Sequence, residues 1–255
     1  MALVAASSRG LGKAVAEALA SEGVKLALCS RNEKVLGATA DSIRQRWRVP
    51  VFDRALDVTD GESVKSFVSA TVERFGTVDI GVANAGGPPS KAFADTSVPD
   101  WRNAFDLNFM STLYLIRELL PHMQKQRWGR IVTITSITVK QPTDGLILSN
   151  AIRAGVVGLM KSLANEYAGD NILINNVCPG FTATDRLTQV AEAQGLAQGV
   201  PSEEIVGRWT RNIPMRRLGR PEEFAAVVAF LCSEPAGYVT GTSIAVDGGA
   251  VKGLF

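Results

Sequence analysis

The stretch ALVAASSRGLGKAVAEALA, residues 2–20, passes from an apolar strand through a turn of small residues into a helix. Gly10 and Gly12 let the backbone of this turn come close to a ligand and to the sheet. The first turn of the helix offers unpaired N–H groups and a partial positive charge, which suit a diphosphate. We therefore predict a phosphate-binding turn formed by Ser7, Ser8, Arg9, Gly10, Leu11 and Gly12. The alternative is a tight turn that binds no ligand.

The rest of the chain repeats this alternation of strand and helix. Apolar, β-rich runs predict seven strands, at 2–6, 25–30, 51–57, 78–84, 129–136, 172–178 and 242–248. Helical patterns predict helices at 10–22, 32–47, 60–75, 99–126, 149–168 and 220–233. Nearly continuous apolar strands are typical of a sheet that is covered on both faces, and the alternation favours right-handed crossovers. We predict an α/β fold, a Rossmann-like, doubly wound, parallel seven-stranded sheet with helices on both faces.

The organisation of the chain favours a single domain. We find no Pro/Gly/Ser-rich linker and no internal repeat, so we predict one dinucleotide-binding and catalytic domain over residues 1–255. The exception to short connections is the polar, helix-prone excursion at residues 179–219, between the sixth and seventh strands. A long excursion at the carboxyl end of a parallel strand is where a substrate lid is expected.

Composition excludes several classes of protein. The formal net charge is +2 and there is no dense run of Lys and Arg, which argues against nucleic-acid binding. The opening apolar run is too short for a signal peptide, and we find no apolar segment long enough to span a bilayer, so we expect a cytoplasmic protein without a membrane partner. Cys29, Cys178 and Cys232 lack metal-ligand spacing, so we expect buried free thiols and no metal site.

The end of the second predicted strand bears on the choice of coenzyme. A dinucleotide-binding fold commonly has an acidic residue there, which binds the ribose hydroxyls of the adenosine. This chain has Ser30 and Arg31 instead, and Arg9 lies in the first turn. Two cations near that ribose would attract a 2′-phosphate, so we predict NADP(H) in preference to NAD(H). The alternative is a pair of solvated surface arginines.

Further motifs follow in order along the chain: ANAG at 83–86, FDLNFMS at 105–111, TITS at 133–136 and CPGFTATD at 178–185. Together with the opening turn they resemble the short-chain dehydrogenase/reductase family, most closely its 3-oxoacyl-(acyl-carrier-protein) reductase-like branch. The resemblance implies coenzyme contacts from Asp57, Asn84, Gly86, Pro179, Gly180 and Thr184. It also implies that Ser136 is the catalytic serine and that Asn108 helps to hold a proton-relay water. Ala6 stands where the family has its first glycine, so we expect a slight shift of the turn.

The chain departs from the family at the catalytic pair. The family has a tyrosine thirteen positions after the catalytic serine and a lysine four positions later, where this chain has Ser149 and Arg153. A phenol has a pKa of about 10, which a neighbouring ammonium lowers, whereas a serine hydroxyl is a far weaker acid. An arginine supplies positive charge but does not pass on a proton. We therefore predict a slow enzyme or another proton donor, for which Lys140 is the candidate; a solvated loop lysine is the alternative.

Two functions remain open. The first is an NADP(H)-dependent reductase of a small-molecule or acyl-linked carbonyl, in which Ser136 orients the carbonyl and Arg153 binds the nicotinamide ribose. The second is a nucleotide-binding sensor or partner subunit with little or no redox turnover. The resemblance also implies a homotetramer or homodimer. A face of small residues on the helix at 149–168 permits close packing, either against the sheet or across an interface, and consists of Ala151, Ala154, Gly155 and Gly158.

Overall fold

Seven parallel strands form one sheet, with helices on both faces, in the computed structural model, which describes residues 1–254. The strands are β1 Ala2–Val4, β2 Leu26–Ser30, β3 Val51–Ala55, β4 Ile80–Ala83, β5 Gly129–Ile134, β6 Ile172–Pro179 and β7 Ser243–Val246. Their order is β3-β2-β1-β4-β5-β6-β7, and every neighbouring pair is parallel. The order reverses between β1 and β4, and ligands bind at such a switch point. The predicted fold class is confirmed.

The helices lie between the strands and in the excursion that follows β6. They are α1 Gly10–Ser21, α2 Glu33–Trp47, α3 Gly61–Phe75, α4 Val98–Phe105, α5 Ser111–Gln126, α6 Ile147–Tyr167, α7 Asp185–Gln198, α8 Ser202–Asn212 and α9 Pro221–Leu231. Capping side chains start several of them: Asn32 accepts a hydrogen bond from the backbone N–H of Val35 at 3.0 Å, and Asp60 accepts one from Glu62 at 3.1 Å.

The predicted helix at 99–126 is wrong as a single element. It is two helices, α4 and α5, joined by a π-helical turn at Asp106–Met110. Such a turn accommodates one extra residue, and the extra residue changes which side chains face inward afterwards. A single inserted residue changes the hydrophobic periodicity of a segment this long only slightly, so the sequence pattern does not show the interruption. The buried side chain inside the π-turn is that of Asn108.

The core has two layers because successive strand residues point to opposite faces of the sheet. Val4 belongs to the apolar cluster that includes α1, α2 and α9, while its neighbour Leu3 belongs to the cluster that includes α3, α5 and α6. Both residues have no solvent-exposed surface. Burying a side chain of this size contributes about 1.5–3 kcal/mol, so the near-continuous apolar strands identified in the sequence are stabilised by helices on both faces.

The expectation that no apolar segment is long enough to span a bilayer is wrong for one segment, which includes α6. The segment Ile147–Asp170 is long and apolar enough to cross a membrane by length and composition, and 33% of its most apolar window is buried. A single helix of this kind is weak evidence for a membrane. Its exposed side includes Ala154 and Gly158, so the small-residue face does not pack against the sheet of its own chain.

The excursion at 179–219 folds back on itself above the sheet. Its two ends are tied by a short parallel bridge, in which the N–H of Gly219 donates to the carbonyl of Phe181 at 2.9 Å. The ring of Trp209 in α8 stacks on Phe181, with ring centroids 5.1 Å apart. These contacts hold α7 and α8 next to the carboxyl end of β6, where a lid is predicted.

Candidate active site

A cleft of about 680 Å³ opens at the carboxyl ends of β1, β2, β4, β5 and β6. The predicted residues that line it are Ser8, Arg9, Gly10, Leu11, Ser30, Arg31, Asp57, Asn84, Gly86, Ser136, Ser149, Arg153, Pro179, Gly180 and Thr184. The predicted residues outside its lining are Ser7, Gly12, Asn108 and Lys140. Residues far apart in the chain thus meet in one cleft because parallel strands all end at the same edge of the sheet.

The opening turn packs tightly against the start of α1. A Cβ atom at Gly12 would lie 2.4 Å from the carbonyl oxygen of Ala6 and 2.8 Å from Nδ2 of Asn84. Asn84 in turn donates from Nδ2 to the same carbonyl at 3.3 Å. Glycine is therefore required at position 12, and Ser7 and Gly12 shape the turn from behind the cleft rather than lining it.

Ala6 adapts to its position through its backbone. Its φ is +48°, in the left-handed region that favours glycine. For a residue with a Cβ atom this conformation costs about 1–2 kcal/mol. Ala6, at the position of the family's first glycine, therefore strains the backbone of the turn locally.

The N-terminus of α1 is open toward the cleft. Arg9 occupies the N-cap position but makes no side-chain capping bond, and the first turn contains no acidic residue. The backbone N–H groups there are available to an anion, and no carboxylate of the same turn competes for them. On the opposite side, the side chain of Thr184 would lie 3.8 Å from a Cβ atom at Gly10, so the start of α7 closes this end of the cleft.

The end of β2 supplies the neighbouring part of the cleft. Oγ of Ser30 is buried and has no hydrogen-bond partner among residues 1–254. Arg31 and Arg9 are exposed beside it and form no ion pair within the same described range. Asp57 accepts hydrogen bonds at Oδ1 from the N–H and hydroxyl of Thr59, at 3.0 and 2.9 Å, which orients its carboxylate. An unpartnered hydroxyl in the same cleft as two cations fits a phosphate group.

Three hydroxyl side chains line the cleft near the end of β5, and two of them are in contact. Oγ of Ser136 accepts a hydrogen bond from the N–H of Thr138 at 3.2 Å and caps the short 3₁₀ turn Ile137–Val139. Oγ1 of Thr138 lies 3.2 Å from Oγ of Ser149, and both residues are buried. This contact holds the Ser149 hydroxyl at the end of β5. Sequence reasoning missed Thr138; the available signal was a second hydroxyl residue two positions after Ser136.

Arg153 is a buried cation held by the backbone of β5. Its Nη1 donates to the carbonyl oxygens of Ile134 and Thr135, each at 3.0 Å, and only 8% of the residue is exposed. Burial lowers the pKa of the guanidinium to about 10; the nearby Cys178 acts in the opposite direction and Arg186 lowers the pKa further. Arg153 is still protonated at neutral pH. No carboxylate of residues 1–254 pairs with it within 4.0 Å.

Asn108 and Lys140 lie differently from the other predicted catalytic residues. Nδ2 of Asn108 donates to the carbonyl of Gly86 at 3.3 Å, while its buried Oδ1 has no partner in the described chain. A water bound at that oxygen would satisfy it. The loop that carries Lys140 borders the cleft, but Lys140 itself is half-buried and lies outside the lining, while Thr138 of the 3₁₀ turn lines it; a catalytic role for Lys140 stays a prediction. The predicted thiols are confirmed, since all three cysteines are free and buried.

Comparison with known proteins identifies the family. The family model described as enoyl-(acyl carrier protein) reductase matches residues 5–251. The chain belongs to the short-chain dehydrogenase/reductase family. The 3-oxoacyl-[acyl-carrier-protein] reductase FabG of Aquifex aeolicus is 36% identical over 249 residues, which cover 98% of this chain and 96% of that protein. This short-chain dehydrogenase/reductase is an enzyme of the oxidoreductase class.

Solved structures of relatives share the fold over nearly the whole chain. The L-sorbose reductase of Gluconobacter frateurii, complexed with NADPH and L-sorbose, superimposes with a TM-score of 0.94 at 32% identity, covering 99% of this chain and 97% of that one. A short chain oxidoreductase from Pseudomonas aeruginosa PAO1, bound to NADPH and described as containing an atypical catalytic center, gives a TM-score of 0.90 at 31% identity, with coverages of 99% and 96%.

The contact between Thr138 and Ser149 leads to a prediction for this short-chain dehydrogenase/reductase. Thr138→Val preserves the side-chain shape and removes the hydroxyl. We expect kcat for carbonyl reduction to fall about fivefold, as for the loss of one hydrogen bond of about 1 kcal/mol, with the Kd for NADPH unchanged. Steady-state kinetics and calorimetry measure both. Thr138→Ser should recover most of the rate, and a wild-type kcat in Thr138→Val would show that the contact does not serve turnover.

Proposed function

We propose that this protein is an NADP(H)-dependent oxidoreductase that interconverts a carbonyl and an alcohol, possessing an atypical active site with Ser149 and Arg153 in place of a tyrosine and a lysine. The observation that carries the proposal is the meeting of three features in one cleft: an open helix N-terminus, the hydroxyls of Ser136 and Ser149, and the Arg153 guanidinium. The first suits a dinucleotide, and the others suit a carbonyl oxygen that gains negative charge.

The residues present fit a dinucleotide coenzyme. The opening turn and the N-terminus of α1 would hold its diphosphate, Asp57 its adenine, and Asn84 and Gly86 the neighbouring ribose. Ser30, with its unpartnered hydroxyl, and the cations beside it would hold a 2′-phosphate. When bound, the reduced nicotinamide supplies the hydride.

The side chains at the end of β5 would act on the carbonyl oxygen. The hydroxyl groups of Ser136 and Ser149 would each donate a hydrogen bond to that oxygen. Arg153 would stabilise the negative charge that develops there and bind the nicotinamide ribose. Because serine is a weak acid, full proton transfer is poorly driven, and general acid catalysis is typically worth 10²–10⁴-fold. The enzyme is therefore expected to be slow unless water at Asn108 supplies the proton.

The choice of NADP(H) over NAD(H) is tested at Arg31. We expect Arg31→Asp to weaken NADPH binding at least about tenfold, since it replaces a cation near the 2′-phosphate by an anion. NADH binding should change little. Calorimetry with both coenzymes measures the two Kd values, with Arg117→Asp as the control because Arg117 is exposed on α5 and outside the cleft. An unchanged ratio of the two Kd values in Arg31→Asp would contradict the assignment.

The second candidate function, a coenzyme-binding sensor or partner subunit, is favoured by the lack of a tyrosine in the described lining of the cleft. None of the tyrosines at 114, 167 and 238 lines the cleft, so no phenol of the described chain is available as proton donor. This favours a coenzyme-binding sensor or partner subunit over a fast enzyme. NADPH oxidation in the presence of a ketone, a ketoester and an acyl-thioester separates the two. Turnover with any of them supports the oxidoreductase, and tight NADPH binding without turnover supports the sensor.

The assembly proposed is a homodimer or homotetramer in the cytoplasm. The exposed face of α6 presents small residues, including Ala154 and Gly158, that would allow a second copy to approach closely. Phe105, 41% exposed, stacks on Phe109 beside this helix with ring centroids 4.8 Å apart. An aromatic pair next to a flat helix face is a suitable surface for self-association.

A further inference from the structure

Arg153 leaves much of its guanidinium free. Only Nη1 donates to protein atoms, to the carbonyls of Ile134 and Thr135, while Nη2 and Nε have no partner within residues 1–254. The side chain nevertheless lines the cleft and is 8% exposed. Neither Nη2 nor Nε is among the buried side-chain atoms of residues 1–254 that lack a partner, so both reach the surface of the cleft, where a ligand can supply acceptors.

Arg186 brings a second cation to the same part of the cleft. It lies in the first turn of α7, and its Nη2 donates to the carbonyl of Pro88 at 3.0 Å, across the cleft from the lid. Its guanidinium runs beside Gly87, where a Cβ atom would lie 3.6 Å from Nε and Nη2. Its charge reaches Arg153, whose pKa it helps to lower.

The cleft does not neutralise this pair of cations. The acidic residues that line it are Asp57 and Asp185. Asp57 is engaged with Thr59 at the end that would take the adenine. Neither carboxylate lies within 4.0 Å of Arg153 or Arg186 in the described chain. The substrate end of the cleft therefore carries net positive charge, with Arg153 and Arg186 against the carboxylate of Asp185, and repulsion between the two guanidinium groups raises the free energy of the ligand-free site.

A bound anion would reduce this repulsion. The residues that border this part of the cleft indicate which chemical group carries the negative charge. A guanidinium pairs with a carboxylate through two parallel hydrogen bonds, a geometry that suits Arg186. The apolar and aromatic residues that border the same space are Phe181, Leu187, Val190 and Trp209. They suit a hydrocarbon chain attached to that carboxylate.

We propose that the substrate is an oxo acid, with its carboxylate bound by Arg186 in the field of Arg153 and its carbonyl directed to Ser136 and Ser149. This inference rests on the proposed function. The other source of an anion is the coenzyme diphosphate, because Thr184, two residues before Arg186, packs toward the phosphate-binding turn. The two sources predict different effects of the same substitution.

The test compares an acid with its neutral ester. Binding of 2-oxo-4-methylpentanoate and of its methyl ester is measured by calorimetry on enzyme saturated with NADP⁺, which has no hydride to give. We expect the wild type to bind the acid at least about tenfold tighter than the ester. Arg186→Met should abolish that preference and leave the Kd for the ester and for NADPH within about twofold. Arg186→Lys should retain part of the preference.

Arg211→Met is the matched control, because Arg211 lies in α8 of the same lid but does not line the cleft. It should keep the full preference for the acid. Equal affinity of the wild type for acid and ester, or no binding of the acid at millimolar concentration, would overturn the inference alone. The inference would also be overturned if Arg186→Met raised the Kd for NADPH and kept the preference for the acid over the ester. The arginine would then bind the coenzyme diphosphate. Failure of the wild type to bind either coenzyme would instead overturn the proposed function, and the inference with it.

Discussion

Replacing Ser149 with tyrosine and Arg153 with lysine is expected to raise kcat for carbonyl reduction by about 10²-fold or more. The double variant places a phenol where the chain has a serine hydroxyl, next to an ammonium that lowers the phenol's pKa. Both positions line a cleft of about 680 Å³, so the ring has space on the cleft side of α6. The gain corresponds to about 3 kcal/mol of the activation barrier.

The single variants separate the two contributions. Ser149→Tyr alone should give part of the gain, since Arg153 also stabilises a phenolate. Arg153→Lys alone should give none, because the weak acid remains and the hydrogen bonds to Ile134 and Thr135 are reduced. NADPH oxidation under single-turnover conditions measures the chemical step, with calorimetry to confirm coenzyme binding. If the double variant binds NADPH normally but reduces no carbonyl faster than the wild type, the missing phenol is not what limits the rate.

Gly12→Val is expected to abolish NADPH binding and to destabilise the protein by about 3 kcal/mol or more. The first added carbon would lie 2.4 Å from the Ala6 carbonyl oxygen, and that atom is backbone, so relief requires the turn and α1 to separate. Their separation removes the N–H groups from the diphosphate position. Urea unfolding and calorimetry with NADPH measure the two effects.

Gly37→Ala in α2 is the control for this substitution. A Cβ atom there meets nothing within 4 Å, and the residue lies inside the helix. Alanine should stabilise the protein by about 0.5–1 kcal/mol and leave the Kd for NADPH unchanged. A Gly12→Val variant that unfolds at the wild-type urea concentration and binds NADPH normally would show that the turn is not packed as described.

Element type was readable from the sequence, but element ends were less so. All seven strands and their parallel arrangement were predicted, because apolar runs and their spacing reflect burial on both faces. The first strand was predicted at 2–6 and ends at Val4, since Ala6 turns into the left-handed region. The direction of the chain at Ala6 depends on the packing of its carbonyl against Gly12. No local sequence pattern reveals that contact.

The sequence predicted which residues gather at the candidate site, but it did not predict which of their side chains are in contact. The motifs predict that Ser136, Ser149 and Arg153 lie together, and in the structure all three line one cleft; their catalytic roles stay predictions. Lys140 lies outside the lining, and its catalytic role stays a prediction; position along a loop does not tell which residues a 3₁₀ turn directs inward. Thr138 was overlooked for the same reason.

The sequence by itself determined the fold, the turn of small residues before the first helix, and the presence of Ser149 and Arg153 at the spacing from Ser136 where the family has a tyrosine and a lysine. These are properties of residue type, of periodicity and of spacing within a single βα unit. Only the tertiary structure decided that Thr138 meets Ser149, 11 residues away, and that Arg186 reaches Pro88, 98 residues away. Such contacts depend on how the lid and the strand ends pack together, and packing is set by surfaces that are distant in the chain.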